Sequence, residues 1–304
     1  MAASTTMHAT GRQKLLGHLA MAAFASLIAG SFSLGALAAP HIAPAPLNAV
    51  RFVFGATLMG VFAFVLSGHR FHLPRAAWRF IVLGALMAIY FVTMFHALAI
   101  ADPVSVGAVF TLTPLLAAIF GRFLLAQRIR PSVLVSILVA GAGAVWVIFR
   151  GDVQAMLALR VGPGETIYFF GVVCHALYTP LYRRYSRGEP VVVTSFWVLA
   201  ATALCLLVYG ANAIVTTEWS ALPVIVWGAI AYLAVFTTAA TFFLLQFAAM
   251  RLPAGKVMAY GYLTPAIIIV LEGLLGHGWA AGAVFTGAVV IVGGLLVLAV
   301  VPDN

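Results

Sequence analysis

Polar side chains are scarce inside the long apolar runs of this chain, and their spacing limits what they can do. Tyr168, His175, Tyr178 and Tyr182 follow one another at intervals of seven, three and four residues. In a helix that spacing places all four on one face. His175 and Tyr178 lie deep within their run, where a lipid-facing tyrosine or histidine is unfavourable, so the face is expected to look inward. It then lines a cavity or bonds neighbouring helices, with Tyr182 nearer the end as an interfacial anchor. Thr111 and Tyr262 each precede a mid-run proline, Pro114 and Pro265, by three residues. Each proline kinks its helix and leaves one carbonyl without its usual donor. That carbonyl is offered to a ligand, or else is satisfied by Thr113 or Thr264. Tyr90 is a further cavity aromatic.

Glu272 is the one acid deep in an apolar run. It is read as a proton-coupling group, as a partner for a substrate ammonium, or as a partner for Arg51. Together these groups can replace the hydration of a small solute. They are not the parts of a catalyst. No His-Glu-x-x-His occurs, and neither His96 nor His175 has an intramembrane Asp beside it to make a nucleophile–base arrangement. Cys174 and Cys205 sit in apolar runs without metal or disulfide spacing. Neither an enzyme, a cofactor nor a metal site is expected.

The elements that position these residues follow from composition. Of 304 residues, 64% are hydrophobic and 8% charged, against about 25% charged in soluble domains. Such a chain cannot cover itself in water and must face a lipid bilayer. Apolar runs fall near 15–39, 47–67, 78–100, 103–126, 131–149, 164–186, 190–212, 222–250, 253–276 and 280–301, each about the 20 residues a span requires. Breaks carry turn chemistry, as at Pro40 to Pro46, Asp102-Pro103 and Gly162-Pro163-Gly164. The first run resembles a signal peptide ending in Ala36-Leu37-Ala38-Ala39, but its length is that of a span and it is expected to stay.

The net charge of +9 does not mark a nucleic-acid binder. Thirteen of the sixteen basic residues fall near 12–14, 70–79, 122–130, 183–187 and 251–256, leaving Arg51, Arg150 and Arg160 for the other side. That alternation is the positive-inside pattern, and it places both termini in the cytoplasm of a bacterial-type inner membrane.

The chain also repeats itself. Asp102-Pro103-Val104-Ser105 leads to Leu112-Thr113-Pro114, and Leu252-Pro253-Ala254-Gly255 leads to Leu263-Thr264-Pro265. With halves at 1–150 and 160–304, each holds five spans. An odd number forces the second half to enter from the opposite face, so the expected fold is all-α, ten transmembrane helices in two inverted five-helix repeats. Secondary transporters use this architecture, with the substrate near the midplane between repeats. Aligning Pro103 with Pro253 matches His96 to Gln246; in an inverted repeat the two lie at opposite depths, one toward each face, as paired gates or paired packing bonds.

These features resemble the EamA family of the drug/metabolite transporter superfamily over nearly the whole chain. Arg51-Phe52 opens the second helix, Ala97-Leu98 closes the third, and Thr113-Pro114 and Thr264-Pro265 mark the fourth and ninth. Tyr260-Gly261-Tyr262-Leu263-Thr264-Pro265, and Ala176-Leu177-Tyr178 followed by Arg183-Arg184-Tyr185, are similar to the YddG-type aromatic amino-acid exporters within it. The resemblance implies export of aromatic or other neutral amino acids, or related metabolites, by alternating access. With no Asp/Glu/His relay in the sequence the export is expected to be uncoupled, a proton-coupled drug/metabolite exporter being the alternative. The chain departs from the pattern at Ala29 and His175, where tryptophan is usual, and at Gln127 and His277, where glutamate is usual. Losing an indole removes stacking surface for an aromatic substrate. The oligomeric state is left open.

Overall fold

Proline stands at the first or second position of five helices among the described residues. Its missing N–H is one that a first turn leaves unpaired anyway. The computed structural model describes residues 11–126, 131–157, 161–252 and 254–300. Gln127, Arg128, Arg130, Arg160 and Pro253 lie outside the described residues.

The helices are α1 (Gly11–Ala38), α2 (Pro44–Gly60), α3 (Trp78–Leu98), α4 (Pro103–Phe110), α5 (Thr113–Leu125), α6 (Pro131–Ile148), α7 (Val153–Leu157), α8 (Pro163–Tyr185), α9 (Val191–Thr216), α10 (Val224–Ala234), α11 (Thr241–Ala249), α12 (Ala254–Ala259), α13 (Leu263–Leu274) and α14 (Gly282–Val300). Among the described residues seven stretches are long and apolar enough to cross a membrane: α1, α2 with its extension to Leu66, α3, α4 with α5, α9, α10 to α11, and Lys256–Leu274. The protein is an all-helical, multi-pass membrane protein. Helices α6, α8 and α14 occupy the remaining three apolar runs.

Helix ends lie within a few residues of the sequence reading. The seventh run continues to Thr216, and the short α7 was not anticipated. Two stretches widen into π-helix, Val61–Leu66 after α2 and Val235–Ala240 between α10 and α11. Both Thr-Pro sites interrupt their helix. At the first, Pro114 cannot donate to Phe110, and the Thr113 hydroxyl donates to that carbonyl instead. At the second, Tyr260–Tyr262 tightens into a 3-10 turn. Asp102 caps α4, its carboxylate accepting from the Val104 and Ser105 N–H groups at 2.8 and 3.3 Å.

Packing pairs α3 with α8 and α9, α2 with α9, α6 with α14, α5 with α8, and α1 with α11 and α13. Lipid offers no hydrophobic drive between helices, so close approach of small residues matters. A Cβ on Gly84 would stand 2.7 Å from the backbone of Ala201 and Thr202. Gly143 and Gly287 do the same for α6 and α14, where a Cβ on Gly143 would meet the Gly287 carbonyl at 2.9 Å.

Candidate functional site

The tyrosine–histidine face of α8 turns into the bundle. Tyr168, His175, Tyr178 and Tyr182 are all buried. Opposite, α3 supplies Tyr90, whose ring stacks on His175 at 4.5 Å and 25°. Tyr168 donates its hydroxyl to that of Tyr90 at 3.0 Å. Phe110, at the broken end of α4, lies 5.4 Å from His175 and 6.2 Å from Tyr90. Phe32 of α1 meets Tyr168 edge-on at 6.2 Å. Tyr90 stands eleven residues from the start-side Arg79, about 16 Å along α3, so the cluster sits near mid-depth.

A polar girdle adjoins it. Gln246 of α11 donates to the Tyr178 hydroxyl at 3.2 Å and accepts from Thr194 and Ser195 of α9 at 3.0 and 2.8 Å. Among the described residues His175 Nδ1 and the hydroxyls of Tyr262, Thr264, Ser31 and Ser33 are buried without a hydrogen-bond partner. Each buried unpaired group costs about 1–3 kcal/mol. Of these, His175 Nδ1 lies within the ring cluster itself.

Polar contacts mark both ends of the bundle around this cluster. At one, Arg79 of α3 is buried and donates to Glu189, before α9, at 2.6 Å and to the Tyr185 carbonyl at the end of α8. Burial alone would raise the Glu189 carboxyl, but the bonds from Arg79 and from the N–H groups of Arg187 and Glu189 hold it below the ordinary carboxylate value. At the other end Ser105 of α4 donates to Glu165 in the first turn of α8. Toward the Arg79 end, near the start of α1, His18 and Tyr260 are joined at 2.9 Å.

The structure brings together Tyr90, His175, Tyr178 and Gln246 from the sequence reading, with Thr111 and Tyr262 buried nearby in the two broken helices. The Thr111 hydroxyl is spent on the Ala108 carbonyl. Other placements differ from expectation. His96 is exposed and does not join the cluster. It stands six residues beyond Tyr90, which at about 100° per residue puts it on another face of α3. Tyr182 is no interfacial anchor; it is buried and hydrogen-bonded to Thr194 at 2.9 Å.

Arg51 does not pair with Glu272. Its guanidinium is fully buried, donating to Thr238 Oγ1 at 3.0 Å, to the Thr237 carbonyl and hydroxyl at 3.3 Å, and to Asn48 at 3.4 Å. It also lies 4.4 Å from the Phe91 ring centroid. The π-helical turn presents both threonines to it. Glu272 instead pairs with His277 at 2.7 Å. Both line a cavity of about 310 Å³ with Asp102, Ser105, Arg150 and Trp279. Phe32, Phe110, Thr194 and Ser195 were not singled out from sequence. The Thr194-Ser195 pair, one turn into an apolar helix, was a readable signal; with 22 phenylalanines in the chain, two of them carry none.

Apolar helices surround this buried aromatic and polar cluster and two of them are broken beside it, an arrangement that membrane transporters use. The chain belongs to the EamA-like transporter family, which matches residues 15–149 and 162–300. The aromatic amino acid exporter YddG of Ancylobacter novellus is 27% identical over 93% of this chain and 95% of its own. The uncharacterised transporter YyaM of Bacillus subtilis (strain 168) is 26% identical over 92% of each. A crystal structure superimposes with a TM-score of 0.69 at 25% identity, covering 94% of this chain and 95% of the other.

Proposed function

We propose that this protein exports aromatic or other neutral amino acids, or closely related metabolites, by alternating access. In this reading ten spans form two inverted halves, 1–150 and 160–304, with both termini cytoplasmic. Two separate family matches, one in each half, support the repeat. So does the packing pattern. Exchanging each helix for its counterpart five spans away turns the α3–α8 contact into α11–α1, α5–α8 into α13–α1, and α4–α13 into α12–α5, all of which occur. The α2–α9 and α6–α14 contacts map onto themselves.

The observation that carries the function is the buried cluster between the halves: ring faces from Tyr90, Phe110 and His175 beside the unpartnered His175 Nδ1. Rings accept a side chain of the same kind, and the polar atom accepts an ammonium or a carboxylate. The amino-acid exporter among the relatives favours that class. Export is uncoupled in this account, because no carboxylate belongs to the described cluster and Glu272 lies outside it. A proton-coupled reading is favoured only by the Glu272–His277 pair. The test is flux of a radiolabelled amino-acid panel in proteoliposomes. Neutral and aromatic amino acids are expected to move faster than in protein-free vesicles; if none does, the substrate class is wrong.

A further inference from the structure

The end of the bundle that carries the Arg79–Glu189 pair also holds a cavity of about 570 Å³ outside the chamber. That lies within the range of roughly 300–1,000 Å³ usual for small-molecule sites. Its walls include the guanidinium-bearing Arg75, Arg79 and Arg187, together with His72, against the single carboxylate of Glu189. Glu189 is committed to Arg79 at 2.6 Å, and no bond from the Arg75 or Arg187 side chain to any acceptor occurs among the described residues. Arg75 is held over the cavity by its backbone. Ala76 adopts a left-handed φ of 59°, unusual for a residue with a Cβ. The carbonyls of Arg75 and Ala76 then wrap the buried Arg79 guanidinium at 3.2 and 3.4 Å. The result is a concave surface with two uncompensated guanidiniums at its wall, suited to a bidentate oxyanion.

We propose that this cavity binds a phosphate-bearing anion, the headgroup of an anionic phospholipid. Its level in the fold favours lipid over a soluble phosphate. The 67–77 loop joins two stretches long and apolar enough to cross a membrane, Pro44–Leu66 and Trp78–Leu98, so the cavity opens where those helices end. Around it Phe71, Leu73 and Trp78 are exposed, Phe71 by 61%, and Trp197 and Phe80 form part of the wall. Aromatic residues beside guanidiniums at a helix end suit a headgroup below and acyl chains alongside. A phosphate ion would leave these apolar surfaces unused.

The experiment uses the full-length protein in a neutral maltoside detergent, titrated with phosphatidylglycerol, phosphatidylcholine, glycerol 3-phosphate or inorganic phosphate. Thermal unfolding and native mass spectrometry read the binding. Phosphatidylglycerol is expected to raise the unfolding midpoint saturably and to persist as a discrete adduct, with the other three giving no comparable shift. The Arg75→Gln/Arg187→Gln variant, altered at two exposed positions, should bind it at least about tenfold more weakly. The Arg75→Lys/Arg187→Lys variant should retain part of the binding, which separates lost charge from lost fold. Equal stabilisation by phosphatidylcholine, or unchanged binding by the glutamine variant, overturns the site. Equal stabilisation by either soluble phosphate overturns the lipid assignment.

Discussion

Replacing Glu189 by Gln removes the charge paired with Arg79 at one end of the bundle while keeping an acceptor oxygen near it. The Arg79 side chain is 4% exposed and Glu189 26%, with 2.6 Å between them. Removing one partner of a fully buried pair costs about 3–5 kcal/mol, whereas an exposed pair is worth about 0–1 kcal/mol. With Glu189 partly exposed and Gln still accepting a bond, the loss should be about 1–2 kcal/mol. If the pair is broken when this end opens, the open state becomes about 5- to 30-fold more populated. The assay is alkylation of a Leu83→Cys probe in a Cys174→Ala/Cys205→Ala background, since Leu83 is buried one turn along α3 from Arg79 and does not line the outer cavity. Labelling should accelerate by that factor in Glu189→Gln. A rate within about twofold of the parent would refute the idea that this pair is a latch. The pH dependence has a fixed sign. The carboxyl titrates lower when folded, so its contribution is present above the unfolded value of about 4.3 and is lost as pH falls through the lower folded value. The difference in unfolding midpoint between parent and variant should therefore shrink only in that acidic window.

Gln246→Leu strips the acceptor from Ser195 and Thr194 and the donor from Tyr178. At about 0.6 kcal/mol for each intramembrane bond, the unfolding free energy should fall by about 2 kcal/mol, read by thermal denaturation, and adding Ser195→Ala should recover part of it. His175→Ala removes a ring stacked on Tyr90; the KM for an aromatic amino acid should rise about 2- to 10-fold with little change in unfolding midpoint. Glu272→Gln should leave the pH profile of flux unaltered, and a flattened profile would establish the proton-coupled alternative. Gly84→Ala puts a methyl 2.7 Å from the α9 backbone, so the yield of monodisperse protein should drop, consistent with about 1–3 kcal/mol of overpacking.

The helices were legible because lipid imposes length and composition together. Apolar runs and their prolines mark almost every end, from Pro44 and Pro103 to Pro163 and Pro223. Half of the chamber was legible as well, since the spacing of Tyr168, His175 and Tyr178 fixes a face whatever it packs against. Partners across helices were not. Arg51 and Glu272 share an outer-side position in sequence, but a π-helical turn from a distant span supplies the Arg51 acceptors, and no periodicity announces that turn. His96 failed for a different reason: the repeat alignment gives level along the helix, not rotation about it. Tyr182 sits near the end of α8, where an interfacial role was reasonable until α9 brought Thr194 against it.

Counterflow tests the central claim most directly. Proteoliposomes preloaded with unlabelled neutral or aromatic amino acid are diluted into trace labelled substrate. A single buried site that faces each side in turn predicts a transient, saturable accumulation of label above equilibrium, reduced in the His175→Ala variant. Label that only equilibrates, at a rate indifferent to the preload, would contradict alternating access through this chamber.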